Sequence, residues 1–292
     1  MKIKSVLLWG ALAQFLSLAL SCALSGCQGQ APAQKAGGKT QVVASDTLLS
    51  GMSASLLPPE RFEVSVILPP GQCPGHYDLK LSDVAKVKTA DLIVSFKGMP
   101  FMDGADVDAE AGKGKLLSVQ SRGRNWMTPD AYIDGLEFLS GEFARRFPEH
   151  AAQIAERRKQ AVREVAAGDE ALGDRIRQAG IARMPIIASS MLREPLEWMG
   201  LRIAGEYDRP ESISAKEIAN LAAKGKTERV ALIVDNLQSG PDAGKGIAEA
   251  LDVPHVVLAN FPMENGYIAT LGDNVEAILA AVAPGAAITQ TR

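Results

Sequence analysis

From Pro148 to Gln178 no further proline interrupts the chain. Val162, Val165, Leu172 and Ile176 recur there at spacings of three, seven and four, which puts one apolar stripe on a helix. Gly168 and Gly173 weaken that helix locally. A helix of about 30 residues is roughly 45 Å long, long enough to run along two packed bodies. The 292 residues exceed what one core usually serves. The expected organisation is therefore an N-terminal lobe over residues 40–147, a linking helix over 148–180 and a C-terminal lobe over 181–292.

Both flanks read as α/β. β-Branched runs at Gln41–Ser45, Glu63–Leu68, Asp91–Phe96 and Lys115–Val119 predict strands, the second ended by Pro69-Pro70. Ser82–Thr89 predicts a helix capped by Ser82, and Thr128-Pro129 opens another that continues to about Phe147. The second half repeats the rhythm: strands at Pro185–Ser189, Val230–Asp235 and His255–Ala259, helices at Arg193–Met199, after the Ser214-Ala-Lys-Glu217 capping box, at Ala243–Ala250 and at Asp273–Val282. Strands alternating with helices imply parallel sheets, so the fold class is α/β with two lobes, each a sheet flanked by helices, and a ligand cleft between them.

The first 26 residues are a targeting segment and take no part in the fold. Lys2 and Lys4 precede an apolar run from Val6 to about Leu24, and Leu24-Ser25-Gly26-Cys27 is a lipobox whose cysteine receives the lipid. Residues 27–39 are rich in Gln, Ala and Gly and read as a flexible tether. Cleavage removes two of the 31 basic residues and none of the 34 acidic ones, leaving a net charge of −5. Such a chain has no electrostatic attraction to nucleic acid or anionic lipid. Membrane attachment falls to the lipid on Cys27, at the periplasmic or extracellular face of the envelope. Cys22 leaves with the signal segment, so Cys73 is the free thiol of a mature chain expected to be monomeric.

Several segments, in order, carry a likeness. Leu68-Pro-Pro-Gly71 leads into Pro74-Gly-His76-Tyr77. Leu81-Ser-Asp-Val84 and Thr89-Ala-Asp-Leu-Ile-Val94 follow, then Gly98, Trp126-Met-Thr-Pro129, the long helix, Trp198-Met-Gly-Leu201 and the Ser214 capping box. Over roughly residues 40–285 this resembles the zinc/manganese-type (cluster A-I) solute-binding lipoproteins of bacterial ABC transporters. The resemblance implies a transition metal held between the lobes and passed to a membrane permease. Zn is the leading ion, with Mn, Fe and Cu as alternatives. It also implies ligand positions. The first histidine matches His76. The other three positions fall on Asn125, Ser189 and near Asn260, none of which is the family's usual ligand. The acidic segment Met102–Lys113 has no histidine.

Within this chain, Cys73-Pro-Gly-His76 places a thiolate and an imidazole on one loop, a pair that suits Zn²⁺ and also Cu⁺ or Fe²⁺. The plainer alternative is a packed Cys73 and a surface His76. Two ligands do not make a tight site. Asp235, at a strand end, is a further ligand candidate, or else a helix cap. Glu264, Met191 and Met263 sit on neighbouring loops, while His150 and His255 read as structural. No G-x-S-x-G, H-E-x-x-H or P-loop occurs, so no enzyme is expected. The competing reading keeps the fold but lets the cleft bind a metal chelate or another small solute, or makes the protein a periplasmic metal chaperone.

Overall fold

Parallel strands buried on both faces read as continuous apolar runs, and Leu232–Asn236 is buried at every position. The computed structural model describes residues 38–102 and 114–283. The signal segment, Cys27, the tether to residue 37, most of the acidic segment and the last nine residues lie outside the described residues. The described residues from 39 onward belong to one compact unit.

The first lobe carries β1 (Thr40–Ala44), α1 (Thr47–Leu56), β2 (Phe62–Val66), α2 (Leu81–Thr89), β3 (Leu92–Phe96), β4 (Leu116–Val119) and α3 (Pro129–Arg146). The linking helix α4 spans Ala151–Ala179, entered through a 3-10 turn at Pro148–His150. The second lobe carries β5 (Pro185–Ser189), α5 (Arg193–Trp198), β6 (Arg202–Tyr207), α6 (Ala215–Glu228), β7 (Leu232–Asn236), α7 (Lys245–Leu251), β8 (His255–Leu258) and α8 (Tyr267–Val282). The sheets are ordered β2-β1-β3-β4 and β6-β5-β7-β8, and every pairing is parallel. Both lobes thus share one topology, and the loops at the carboxyl ends of the strands are where such a sheet offers a ligand site.

Local reasons depart from the sequence reading in places. α2 starts at Leu81, and its N-terminus is capped not by Ser82 but by Asp83, whose carboxylate accepts the Lys80 N–H at 3.0 Å. Thr128 is the N-cap of α3, yet its hydroxyl donates to the Asn125 carbonyl at 2.9 Å and does not cap the helix. The Ser214 box forms as expected: the Glu217 N–H donates to the Ser214 hydroxyl at 3.2 Å, and the Ser214 N–H donates to the Glu217 carboxylate at 2.7 Å. α8 begins at Tyr267, earlier than expected, and the sequence reading marked neither α1 nor β6.

On α4, Val165 and Ile176 are buried, and Val162 and Leu172 pack partly buried beside them. Leu172 touches the apolar clusters of both lobes. The cluster under β1 and β3 also takes in Tyr267 and Leu271 of α8. Tyr132 of α3 stacks on Tyr267 with ring centroids 3.7 Å apart. Gly168 is the seat for α8: a Cβ there would lie 2.7 Å from Ile268 Cδ1. The Trp198 indole N–H donates to Asp169 of α4 at 2.9 Å. The lobes therefore share an apolar seam as well as a connecting helix.

Candidate functional site

The loop that carries Cys73 and His76 follows β2 and is anchored from below. The Tyr77 hydroxyl donates to Asp83 at 2.7 Å, and burial, with that carboxylate beside it, pushes the phenol up to about 12. Pro74–His76 forms a 3-10 turn with Cys73 as its N-cap, and the His76 N–H donates to the Cys73 carbonyl at 3.2 Å. Cys73 is free and half-buried. This turn meets the second lobe. His76 Nε2 stands 3.3 Å from Glu211 Oε1, with side chains 59% and 56% exposed. The Arg209 guanidinium lies against Gly75. Met263, from the loop after β8, reaches the same segment at Gly71.

A second meeting point lies at Asn125, on the loop after β4. Its Nδ2 donates to Asn260 Oδ1 at 2.7 Å and to the Met191 carbonyl at 2.9 Å, both in the second lobe. Its backbone N–H donates to Glu194 at 3.0 Å, and Arg124 Nε donates to the same carboxylate oxygen at 3.2 Å. The Asn260 N–H donates to Gln238 Oε1 at 2.8 Å. Beside these residues opens a cleft of about 460 Å³, walled by Phe96, Trp126, Phe261 and Leu48, with Ser190 and Arg193 at its polar side.

The expected site residues therefore divide. Asn125 and Asn260 touch one another. His76 and Cys73 share a turn at another part of the same seam. Ser189 closes β5 and is buried, while its neighbour Ser190 lines the cleft and donates to Asp208 at 2.5 Å. Asp235 is not open to the cleft: it is 0% exposed and accepts from the Tyr207 hydroxyl at 2.5 Å and from the Gly244 N–H at 3.0 Å. His255 Nε2 lies 2.6 Å from its other side. Asp235 thus ties β7 to the N-cap of α7 and to β6 and β8, and burial beside that carboxylate pushes the Tyr207 phenol far up. His150 packs edge-on to Phe62, and Glu264 is solvated. Among the described residues no three His, Cys, Asp or Glu side chains gather closely enough to hold an ion together. The sequence reading missed Glu211, Arg209 and Glu194. The first two follow β6, a strand interrupted by Gly205 and flanked by charge, which left no β-branched signal.

A model of the ZnuA family, zinc-uptake complex component A, periplasmic, matches residues 42–281. The chain belongs to that family. It is accordingly an extracytoplasmic, metal-binding component of ABC metal uptake, and the family is one of transport proteins that bind a substrate. No curated protein sequence matches the chain. Among solved structures, the periplasmic zinc-binding protein TroA from Treponema pallidum is 14% identical with a TM-score of 0.71, covering 85% of this chain and 100% of its own. A crystal structure of ZnuA is 15% identical with a TM-score of 0.70, covering 84% and 100%. The Mn-bound periplasmic metal-binding protein of Candidatus Liberibacter asiaticus is 14% identical with a TM-score of 0.69, over the same shares. At these identities the likeness establishes the shared two-lobed fold.

Proposed function

We propose that this chain captures a single transition metal ion, zinc before manganese, iron or copper, at the His76 end of the interlobe seam and hands it to an ABC permease. One observation carries the reading: an imidazole of one lobe and a carboxylate of the other stand 3.3 Å apart, with a free thiol on the same turn as the imidazole. Neutral imidazole, thiolate and carboxylate are the donor types zinc takes. His76 and Glu211 would hold the ion from opposite lobes, and Cys73 would complete the protein's share by a shift of its own turn. The family's zinc description and the TroA likeness favour zinc, and the Mn-bound neighbour keeps manganese next. Lipid on Cys27 would tether a monomer to the membrane, and no catalytic step is assigned.

The test is elemental analysis of the mature chain purified without chelator, beside a Cys73→Ala/His76→Ala double variant. The expected result is about one equivalent of transition metal, absent from the variant. A metal-free protein whose melting temperature ignores added Zn²⁺, Mn²⁺, Fe²⁺ and Cu⁺ would sink the proposal. A second reading then takes over, favoured by the aromatic and aliphatic walls of the cleft beside Asn125: a metal chelate or small organic solute of a size such a pocket takes.

A further inference from the structure

Asn125 has no donor hydrogen left for a ligand. Its Oδ1 accepts the Met127 N–H at 2.9 Å, which fixes the amide's orientation. That leaves Nδ2 with two hydrogens, and both go to the other lobe, to Asn260 Oδ1 and the Met191 carbonyl. The backbone N–H of Asn125 goes across as well, to Glu194, where Arg124 joins it. Asn260 is held in turn by Gln238, itself buried. Parting the lobes here breaks these cross-lobe bonds together. The groups that the first lobe sends across the seam at this point are all donors.

We propose that Asn125 is a positioning residue, a clasp that keeps the two lobes closed with no ligand bound. It deepens the reading of the seam as a metal site: the ion would enter a seam already shut and would not have to draw the lobes together. The apolar contacts of Tyr132 with Tyr267 and of Gly168 with Ile268 already join the lobes elsewhere. The clasp adds fixed closure on the cleft side.

The experiment measures closure directly and in chelator, so it does not depend on metal binding. Spin labels on Glu60→Cys and Lys224→Cys, one exposed position per lobe, are placed in a Cys73→Ser background of the mature chain. The expected result is one narrow distance distribution, which Asn125→Ala and Asn260→Ala each shift or broaden by about 2 Å or more. The double variant should go no further than Asn125→Ala alone, since the cross-lobe bond that Asn260→Ala removes is one that Asn125→Ala already removes. Circular dichroism establishes that the variants are folded, and Asn125→Asp, which keeps the Met127 bond but loses the cross-lobe donors, supplies a folded case if Asn125→Ala is not. A broad distribution in the background protein, or one unmoved by all the variants, overturns the proposal. A protein that proves metal-free leaves this test intact, and a failed clasp leaves the elemental analysis intact.

Discussion

At the scale of single residues, burial decides more than charge does. Asp46 is fully buried at the N-terminus of α1, where it accepts from the Ser45 hydroxyl and the Leu49 N–H. Desolvation outweighs those bonds and raises its carboxyl from 3.8 to about 6. The folded protein therefore holds this proton more tightly than the unfolded chain does. Its contribution to stability is full below about pH 4 and lost as pH rises through about 6. Asp46→Asn keeps a cap acceptor and removes the buried charge. It should stabilise the protein at pH 7.5 by about 1–3 kcal/mol and flatten the stability profile between pH 4 and 6, as urea titrations at several pH values would record. An unchanged slope would mean that the site is wetter than its burial indicates. Glu211→Gln belongs to the same scale: it keeps the shape but weakens the cation ligand proposed above, so on that proposal zinc affinity should fall by about tenfold or more in calorimetry. The Cys73–His76 turn could be singled out because its prolines, glycine, thiol and imidazole are local in sequence. Glu211, which stands 3.3 Å from His76, could not, since only the tertiary fold brings the two together. The Asn125–Asn260 contact, across 135 positions, was hidden for the same reason.

At the scale of elements, strands and capping boxes were readable because their determinants lie within a few residues. Apolar runs marked β3, β5, β7 and β8, and Ser214 with Glu217 marked α6. α1 does carry a one-sided stripe: Leu48, Leu49, Met52, Ser53 and Leu56 are all buried. Its other face offers Ser50, Gly51, Ala54 and Ser55, with no charged residue and a glycine mid-helix, so the segment did not stand out as a helix. Gly168 shows the limit of propensity reasoning. In sequence it is a weak point of α4, yet in the fold it is the hollow that admits Ile268. Gly168→Leu would improve helix propensity and still destabilise by about 1–3 kcal/mol through overpacking, measurable by chemical denaturation. A gain in stability would show that α8 can slide away at no cost.

At the scale of the whole molecule, the two-lobe plan was legible from the rhythm of strands and the long helix, whereas the continuity of the core across the lobes was not. One apolar cluster includes residues from β1, α3, α4 and α8. Independent unfolding of the lobes would have to split it. Calorimetry should accordingly show a single thermal transition, with the calorimetric enthalpy matching the van't Hoff value. Two resolved transitions would mean that the shared cluster contributes little.

Tyr267 and Leu271 have a consequence for how the molecule comes into being. They close the core of the first lobe, yet they lie in the last helix of the described chain. A growing chain that has emerged as far as β8 has every strand of the first sheet but still shows water the apolar patch those two side chains will cover. The first lobe therefore completes its core only when α8 arrives, and a chain cut short before Tyr267 would leave its first lobe sticky instead of merely leaving its second lobe short.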